Sequence, residues 1–545
     1  MTLFEQILTA RGLTTRAARE AFLQPDYVAV KHDPFLLPDM KKAVARLKQA
    51  REQGEKIVIY GDYDIDGLSA TALLLDAFGK FGFEDVDAFI PNRFVEGYGM
   101  TMGAVDKVRD MGADLIVTVD TGSLCHAEIA YAASLGIDTV VTDHHNVAET
   151  PPPSVAAVNP KFPGHTYPFR DLCGAGVAFK LVQALQTELD GLPDGYEKWL
   201  LDLVALGTVC DIVTLADENR ANVYWGLEVL KKQQRPGLKA LMAVAGIEPE
   251  QVNARHLGFG LGPRMNAAGR LETAQHALDM LVARDGLAAL EASEKLEELN
   301  VKRRGIQDAI FEEACEQAEE LADDRVLVVS SDGWNHGVIG IVASKLVEKY
   351  KKPVFIIGER GEEATGSARS FGDFSAADAV RAADDIIIKG GGHGAAAGVT
   401  LATERINDFR RRVNEFYDSL QLINQERYLL PRADVEIDDF SEIDEELVEN
   451  LARMEPFGNG NPEPVVKITT AIVLSARRMG ADGQHVKLAL RDKNGKVLQM
   501  LAFNAPEEFF REPGDEVTAW FQPTINEWQG VRTVEGRLVH VALSD

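Results

Sequence analysis

Positive charge is what this sequence has too little of: 57 Lys and Arg stand against 85 Asp and Glu in 545 residues, a formal net charge of −28. An acidic shell repels a polyanion, so a nucleic-acid role requires a local Lys/Arg track that the average conceals. Net charge governs solubility and long-range steering rather than the lining of one groove. Cysteine is scarce as well. Cys125, Cys173, Cys210 and Cys315 are scattered, with no C-x-x-C pair, which argues against a zinc site or disulfide framework and for reduced, buried thiols in a cytoplasmic protein. No apolar run is long enough to cross a bilayer, so no membrane partner is expected. Residues 1–12 carry Glu5 and Arg11 where a signal peptide would be continuously apolar. Internal repeats and low-complexity tracts are missing too. What is present is a globular composition, 46% hydrophobic and 26% charged, at a length that implies several domains.

Short β-branched runs alternate with amphipathic stretches through the first part. Residues 56–60, 86–90, 115–119 and 139–142 read as strands, and residues 68–78 as the helix after the first. That alternation predicts an α/β domain with a parallel sheet covered on both faces. Residues 286–322 are rich in Glu, Lys, Leu and Ala and free of Pro, which predicts a long connecting helix. A second α/β segment follows. Beyond a Pro/Gly/Asn connector at residues 454–462, the runs 465–474, 485–490, 497–503, 517–521 and 531–543 suggest a small β-barrel. We expect a catalytic domain over 1–285, the helix over 286–324, a substrate-binding domain over 325–425, and connector plus barrel over 426–545.

Acidic residues gather where the predicted strands end: Asp62, Asp64 and Asp66 after the first, Asp120 after 115–119, Asp143 with His144 and His145 after 139–142. In a parallel sheet these ends share one edge, the usual ligand edge. Crowded carboxylates repel unless cations neutralise them, and oxygen ligands with imidazole suit manganese or magnesium. A lone Asp after a strand is ordinarily a helix N-cap, and His144-His145 could be a satisfied surface pair. The D-x-D-x-D-G run also resembles the start of a calcium loop, but Leu73 stands where that loop needs Glu. Co-location at one edge favours a metal centre.

Asp-x-Asp-x-x-Gly, Val-Asp-x-Gly and Thr142-Asp143-His144-His145 resemble the first three motifs of the DHH phosphoesterase family. The run Leu203-Val204-Ala205-Leu206-Gly207-Thr208-Val209-Cys210-Asp211 resembles the fourth, and Gly390-Gly391-Gly392-His393 the signature of the DHH-associated second domain. The resemblance implies that Asp64, Asp66, Asp120, His144 and Asp211 bind two Mn²⁺ or Mg²⁺ ions, with Asp66 and Asp120 bridging. Asp62 is either a further ligand or an orienting group, and His145 either supports the ligands or polarises the substrate phosphate. Catalysis falls to Asp64, Asp66, Asp120, His144, His145 and Asp211.

Across nearly the whole chain the likeness is to the branch of that family that degrades single-stranded DNA. It covers Arg93 and Tyr98 in the 91–99 segment, Gly262-Pro263-Arg264-Met265-Asn266 through Arg270, and residues 337–344. Thr121 and the order Trp334-Asn335-His336 depart from that branch's pattern. The resemblance implies a 5′→3′ exonuclease in DNA repair and recombination that releases 5′-mononucleotides. By the same token, Arg93, Ser367 and Arg369 would hold the 5′ phosphate, and His393 with Arg264 or Arg270 the scissile region. Tyr98 and Asn266 are further substrate-binding candidates. An oligonucleotide-binding (OB) barrel would suit a single strand, although we expect Trp520, Trp528 and Phe503 to fill its core. Single-strand-binding protein and a helicase are partners implied by resemblance alone. The alternatives are a phosphodiesterase of short oligonucleotides or cyclic dinucleotides, and a non-catalytic DNA-binding scaffold.

Overall fold

The computed structural model describes every residue except Tyr98, Asn424 and Asp545, and only the backbone at Glu426. The first sheet is built from the runs anticipated as strands. β1 (Ile57–Gly61) leads through α1 (Ile65–Phe81) to β2 (Val86–Phe89), and β3 (Leu115–Val119), β4 (Asp138–Thr142) and the short β5 (Ala156–Val158) follow. They lie in the order β2-β1-β3-β4-β5, every pair parallel. β1 and β3 are buried along their whole length, which is why their sequences run continuously apolar instead of alternating. From β1 the chain steps to β2 on one side and returns to β3 on the other. That reversal opens a crevice at the carboxyl ends of β1 and β3.

α2 (Gly174–Leu185) and α3 (Leu201–Cys210) pack on α1, and α4 (Gly262–Leu271) packs on α5 (Gly286–Glu320), the long helix expected between the lobes. A mixed sheet follows: β6 (Leu327–Asp332), α6 (Ile339–Tyr350), β7 (Val354–Arg360), β8 (Glu363–Arg369), β9 (Ile387–His393) and β10 (Ala396–Ala402), in the order β6-β7-β8-β10-β9. Only β6 and β7 are parallel.

The C-terminal strands are β11 (Val435–Ile437), β12 (Val466–Met479), β13 (His485–Arg491), β14 (Val497–Ala502), β15 (Glu516–Trp528) and β16 (Val531–Leu543). β12 pairs with both β13 and β15, closing five strands into the expected OB-like barrel, with β11 added outside. Leu3, Ile7, Leu8 and Leu23 lie in this barrel's core beside Phe440 and Met454. The N-terminal segment assigned to the catalytic domain by linear position thus packs on the last domain. Arg220 reinforces the joint by donating to the carbonyls of Met454, Glu455 and Pro456. The aromatics divide. Trp520 is buried, as expected, but Phe503 and Trp528 are 64% and 72% exposed. Both stand at strand ends, one just past β14 and one at the tip of the β15–β16 hairpin, where the barrel wall no longer faces the core. Among the described residues, no helix is long and apolar enough to cross a membrane.

Candidate metal centre and phosphate pocket

The turn from β1 into α1 delivers three aspartates to the crevice. Asp64 caps α1: its Oδ1 accepts from the N–H groups of Asp66 and Gly67, at 2.9 and 3.1 Å. The ordinary capping role of a post-strand aspartate therefore holds here, alongside membership of the cluster. Asp66, fully buried in the first turn, accepts from the N–H groups of Gly174 (2.5 Å) and Ala175 (2.8 Å) at the start of α2. It is clamped between two helix N-termini, both of which favour negative charge. A Cβ on Gly174 would lie 2.6 Å from the Asp120 Cβ, so glycine is what lets α2 begin this close to the crest.

Asp120 leaves β3 in the left-handed region, φ 61°. Asp143, by contrast, is saturated. Its Oδ1 accepts from the backbone N–H groups of His144 (2.7 Å) and His145 (3.0 Å) and from His145 Nδ1 (2.8 Å), and its Oδ2 from the Ser123 N–H (2.9 Å). Asp143 braces the two imidazoles. His144 Nε2 then stands 3.0 Å from Asp120 Oδ1, 3.5 Å from Asp211 Oδ2 and 3.8 Å from Asp66 Oδ2. Three overlapping sets bring one ligand atom per residue within 4.8 Å of one another: Asp62, Asp64 and Asp120; Asp66, His144 and Asp211; Asp120, His144 and His145.

These groups cannot satisfy one another. Although His144 Nε2 and Asp120 Oδ1 are 3.0 Å apart, neither makes a well-formed hydrogen bond, and nor does Asp62 Oδ1, among the described residues; all three atoms are buried, an arrangement that folded proteins rarely tolerate. Burial, then repulsion from Asp64, pushes Asp62 up to about 7 and Asp66 up to about 6. Burial and then Asp66 push Asp211 to about 8 and Asp120 well above the carboxylate range. Burial, with His145 nearby, lowers His144 to about 4, leaving it neutral. Burial opposes charge on His145 too, yet its hydrogen bond to Asp143 prevails and raises it to about 9. Hard oxygens, a neutral imidazole and orphaned buried acceptors fit divalent cations.

Beside the acids lies a group of arginines. Arg93 sits 4.4 Å over the ring of Tyr63, and among the described residues its buried Nε has no hydrogen-bond partner. Arg270 Nη1 donates to the Gly337 carbonyl at 2.8 Å, reaching the second lobe. Burial, then the charges of Arg93, Arg303 and Arg369, lowers Arg270 to about 10. Among the described residues, none of these four arginines has a carboxylate within ion-pair distance. Arg369 and Ser367 lie on one face of β8, with Nη1 3.2 Å from the serine Oγ. A Cβ on Gly340, in the first turn of α6, would stand 3.0 Å from that Oγ. A helix N-terminus and uncompensated guanidiniums make an anion pocket.

The structure thus brings together Asp62, Asp64, Asp66, Asp120, His144, His145 and Asp211, and separately gathers Arg93, Arg270, Ser367 and Arg369. Arg264 is engaged elsewhere, with Nε 2.5 Å from Glu297 Oε2 and Nη1 2.7 Å from the Gly260 carbonyl. Asn266 is half-buried on the same helix as Arg270, and His393 is exposed at the end of β9. Tyr98 lies outside the described residues. Sequence reasoning missed Tyr63 and Arg303. Arg303 is held by Gln307 (2.7 Å) and Asn300 (2.6 Å) on one buried stripe of α5, and that polar i, i+3, i+4 spacing amid leucines was a readable signal.

Residues 56–208 match the DHH family N-terminal domain, residues 323–419 the DHHA1 domain, and residues 433–540 the RecJ OB domain. The single-stranded-DNA-specific exonuclease RecJ of Bacillus subtilis is 38% identical over all of this chain, which spans 68% of it. The Escherichia coli K12 protein of the same name is 34% identical over 92% of this chain and 89% of its own. RecJ from Thermus thermophilus, solved in complex with Mn²⁺, superposes with a TM-score of 0.83 at 30% identity, covering 99% of this chain and 76% of that one. Its Mg²⁺ complex gives 0.76 at 28% identity over 98% and 74%. The chain belongs to the RecJ family, with the DHH, DHHA1 and RecJ OB domains in order.

Proposed function

We propose that this chain is a Mn²⁺- or Mg²⁺-dependent exonuclease that degrades single-stranded DNA from the 5′ end to 5′-mononucleotides, in DNA repair and recombination. The observation that carries the reading is that, among the described residues, buried atoms of Asp62, Asp120 and His144 lack hydrogen-bond partners and the neighbouring arginines lack carboxylate partners. In this reading Asp64, Asp66, Asp120, His144 and Asp211 hold two ions, with Asp62 as an orienting or additional ligand. Such a pair lowers the cost of ionising the attacking water and neutralises charge on the phosphoryl oxygens. His145, held by its Nδ1 hydrogen bond to Asp143, would support the ligands or polarise the scissile phosphate. Arg93, Ser367 and Arg369 bind the terminal 5′ phosphate by forked hydrogen bonds. Arg270, with no carboxylate partner among the described residues, suits the scissile region better than the Glu297-bound Arg264, with Asn266 and His393 alongside. Tyr98 remains a proposed substrate contact by resemblance. We further propose a cytoplasmic location, and single-strand-binding protein and a helicase as partners, by resemblance to the family alone.

Purified protein given 5′- and 3′-labelled single and double strands, with Mn²⁺ or EDTA, tests the proposal. The 5′ label should leave first, as a mononucleotide, from single strands only and only with metal. Early loss of the 3′ label would refute the polarity, and equal digestion of duplex the selectivity.

A further inference from the structure

Ile212 directly follows Asp211 and adopts φ 60°, the only β-branched residue among the described non-glycine residues with positive φ. There a branched Cβ crowds the neighbouring carbonyl, so such a residue is a conformational outlier. The same side chain is 68% exposed, so burial does not compensate. Outliers that persist beside a reactive centre point to a use other than folding.

The surrounding chain imposes the conformation from several directions. The Ile212 N–H donates to Val209 at 3.3 Å, its carbonyl accepts from Asn459 Nδ2 at 2.8 Å, and the Leu215 N–H donates to the Asn459 carbonyl at 2.8 Å. The Thr214 N–H donates to Asp171 Oδ2 at 2.9 Å, and its carbonyl accepts from Asn219 Nδ2 at 3.0 Å. A Cβ on Gly458 would lie 2.8 Å from Leu215 Cδ1, so the barrel's connector sits flush on this loop. A second exposed apolar side chain comes from the turn that packs on the same end of α3. Phe259, 80% exposed, projects from the π-helical turn His256–Leu261. That turn packs on the same end of α3: a Cβ on Gly258 would be 3.6 Å from Val209 Cγ1, and one on Gly262 3.1 Å from Cys210 Sγ. π-Turns, like strained residues, concentrate at functional sites.

We propose that Ile212, with Phe259 of that turn, forms an apolar platform at the lip of the metal centre, against which an unpaired base of the substrate packs. The inference rests on the nuclease reading and adds a specificity-determining residue to it. An apolar face accepts any base, whereas a base inside a duplex has both faces already stacked. The strained backbone keeps the side chain out in solvent and next to Asp211, where the strand must pass.

Asn and Gly accept positive φ more readily than Ile. Ile212→Asn and Ile212→Gly should therefore raise the thermal midpoint while weakening affinity for a 5′-phosphorylated oligothymidylate of about 20 nucleotides by roughly fivefold or more. Affinity is read by fluorescence anisotropy in EDTA, and Ile212→Val should retain it. Wild-type affinity in Ile212→Asn, or a lowered midpoint in both relaxed variants, would overturn the inference. Because binding is read without hydrolysis, a wild-type chain that binds the strand but fails to cleave it counts against the nuclease reading alone.

Discussion

At the scale of single residues, the centre is defined by what its atoms lack. Asp143 has a donor for each oxygen, and Asp64 caps a helix while joining the cluster. Asp62, Asp120 and His144 keep buried atoms without hydrogen-bond partners among the described residues. The sign of the pH dependence follows. With folded-state values of about 7 for Asp62 and about 8 for Asp211, both carboxyls lie above their unfolded range. Their contribution to the metal-free fold is full at low pH and is lost as pH rises through those values, when the charges appear and repel. A divalent ion must displace the remaining protons. Mn²⁺ binding should therefore tighten from pH 6 to pH 8 and release protons, more of them at pH 6. Calorimetry in two buffers of different ionisation enthalpy measures that release, and identical heats in both would contradict the assigned protonation. The sequence showed which residues meet, because strand ends are legible from periodicity. It could not show which oxygens stay unpaired, since that depends on Ser123 and on the start of α2.

At the scale of elements, the decisive feature is how closely α1, α2 and α3 converge under the crest. Gly174 lets α2 begin against Asp120, where a methyl group would fall at 2.6 Å from the aspartate Cβ. Gly174→Ala should push Asp120 off its position and weaken Mn²⁺ affinity by roughly 10–100-fold, the usual cost of disturbing a ligand's support. Equilibrium dialysis with Mn²⁺ measures this, and unaltered affinity would mean that α2 does not set the aspartate. Strands β1 and β3 were legible as largely apolar runs, and β4 from its β-branched Thr139-Val140-Val141-Thr142. β5 was not, being three residues in a Pro-rich stretch, too short for periodicity. The connector at 454–462 was legible as rigid from its Pro, Gly and Asn, but its docking onto the loop after Asp211 was not. Asn459 is far in sequence from Ile212, and nothing local encodes that pairing.

At the scale of the whole molecule, the acidic balance and the proposed substrate are reconciled by segregation. The net charge of −28 belongs to the chain as a whole, while Arg93, Arg270, Arg303 and Arg369 gather from both lobes with no carboxylate partner among the described residues. Local potential, not the total, governs a bound strand. The same closure explains why linear domain limits mislead at the N-terminus. Leu3, Ile7 and Leu8 lie in the core of the barrel, so truncating the barrel would unseat the N-terminal helix Leu3–Ala10 as well. The central claim is that ions held at the crest of the first sheet are what cleave the strand. Counting bound Mn²⁺ by electron paramagnetic resonance, on the wild-type chain and on Asp66→Asn, with single-strand hydrolysis followed in the same samples, tests it most directly. The account predicts two ions per wild-type chain, hydrolysis that rises with occupancy and vanishes in EDTA, and loss of both properties in Asp66→Asn. Undiminished hydrolysis by Asp66→Asn, or a wild-type chain that cleaves with no ion bound, would contradict it.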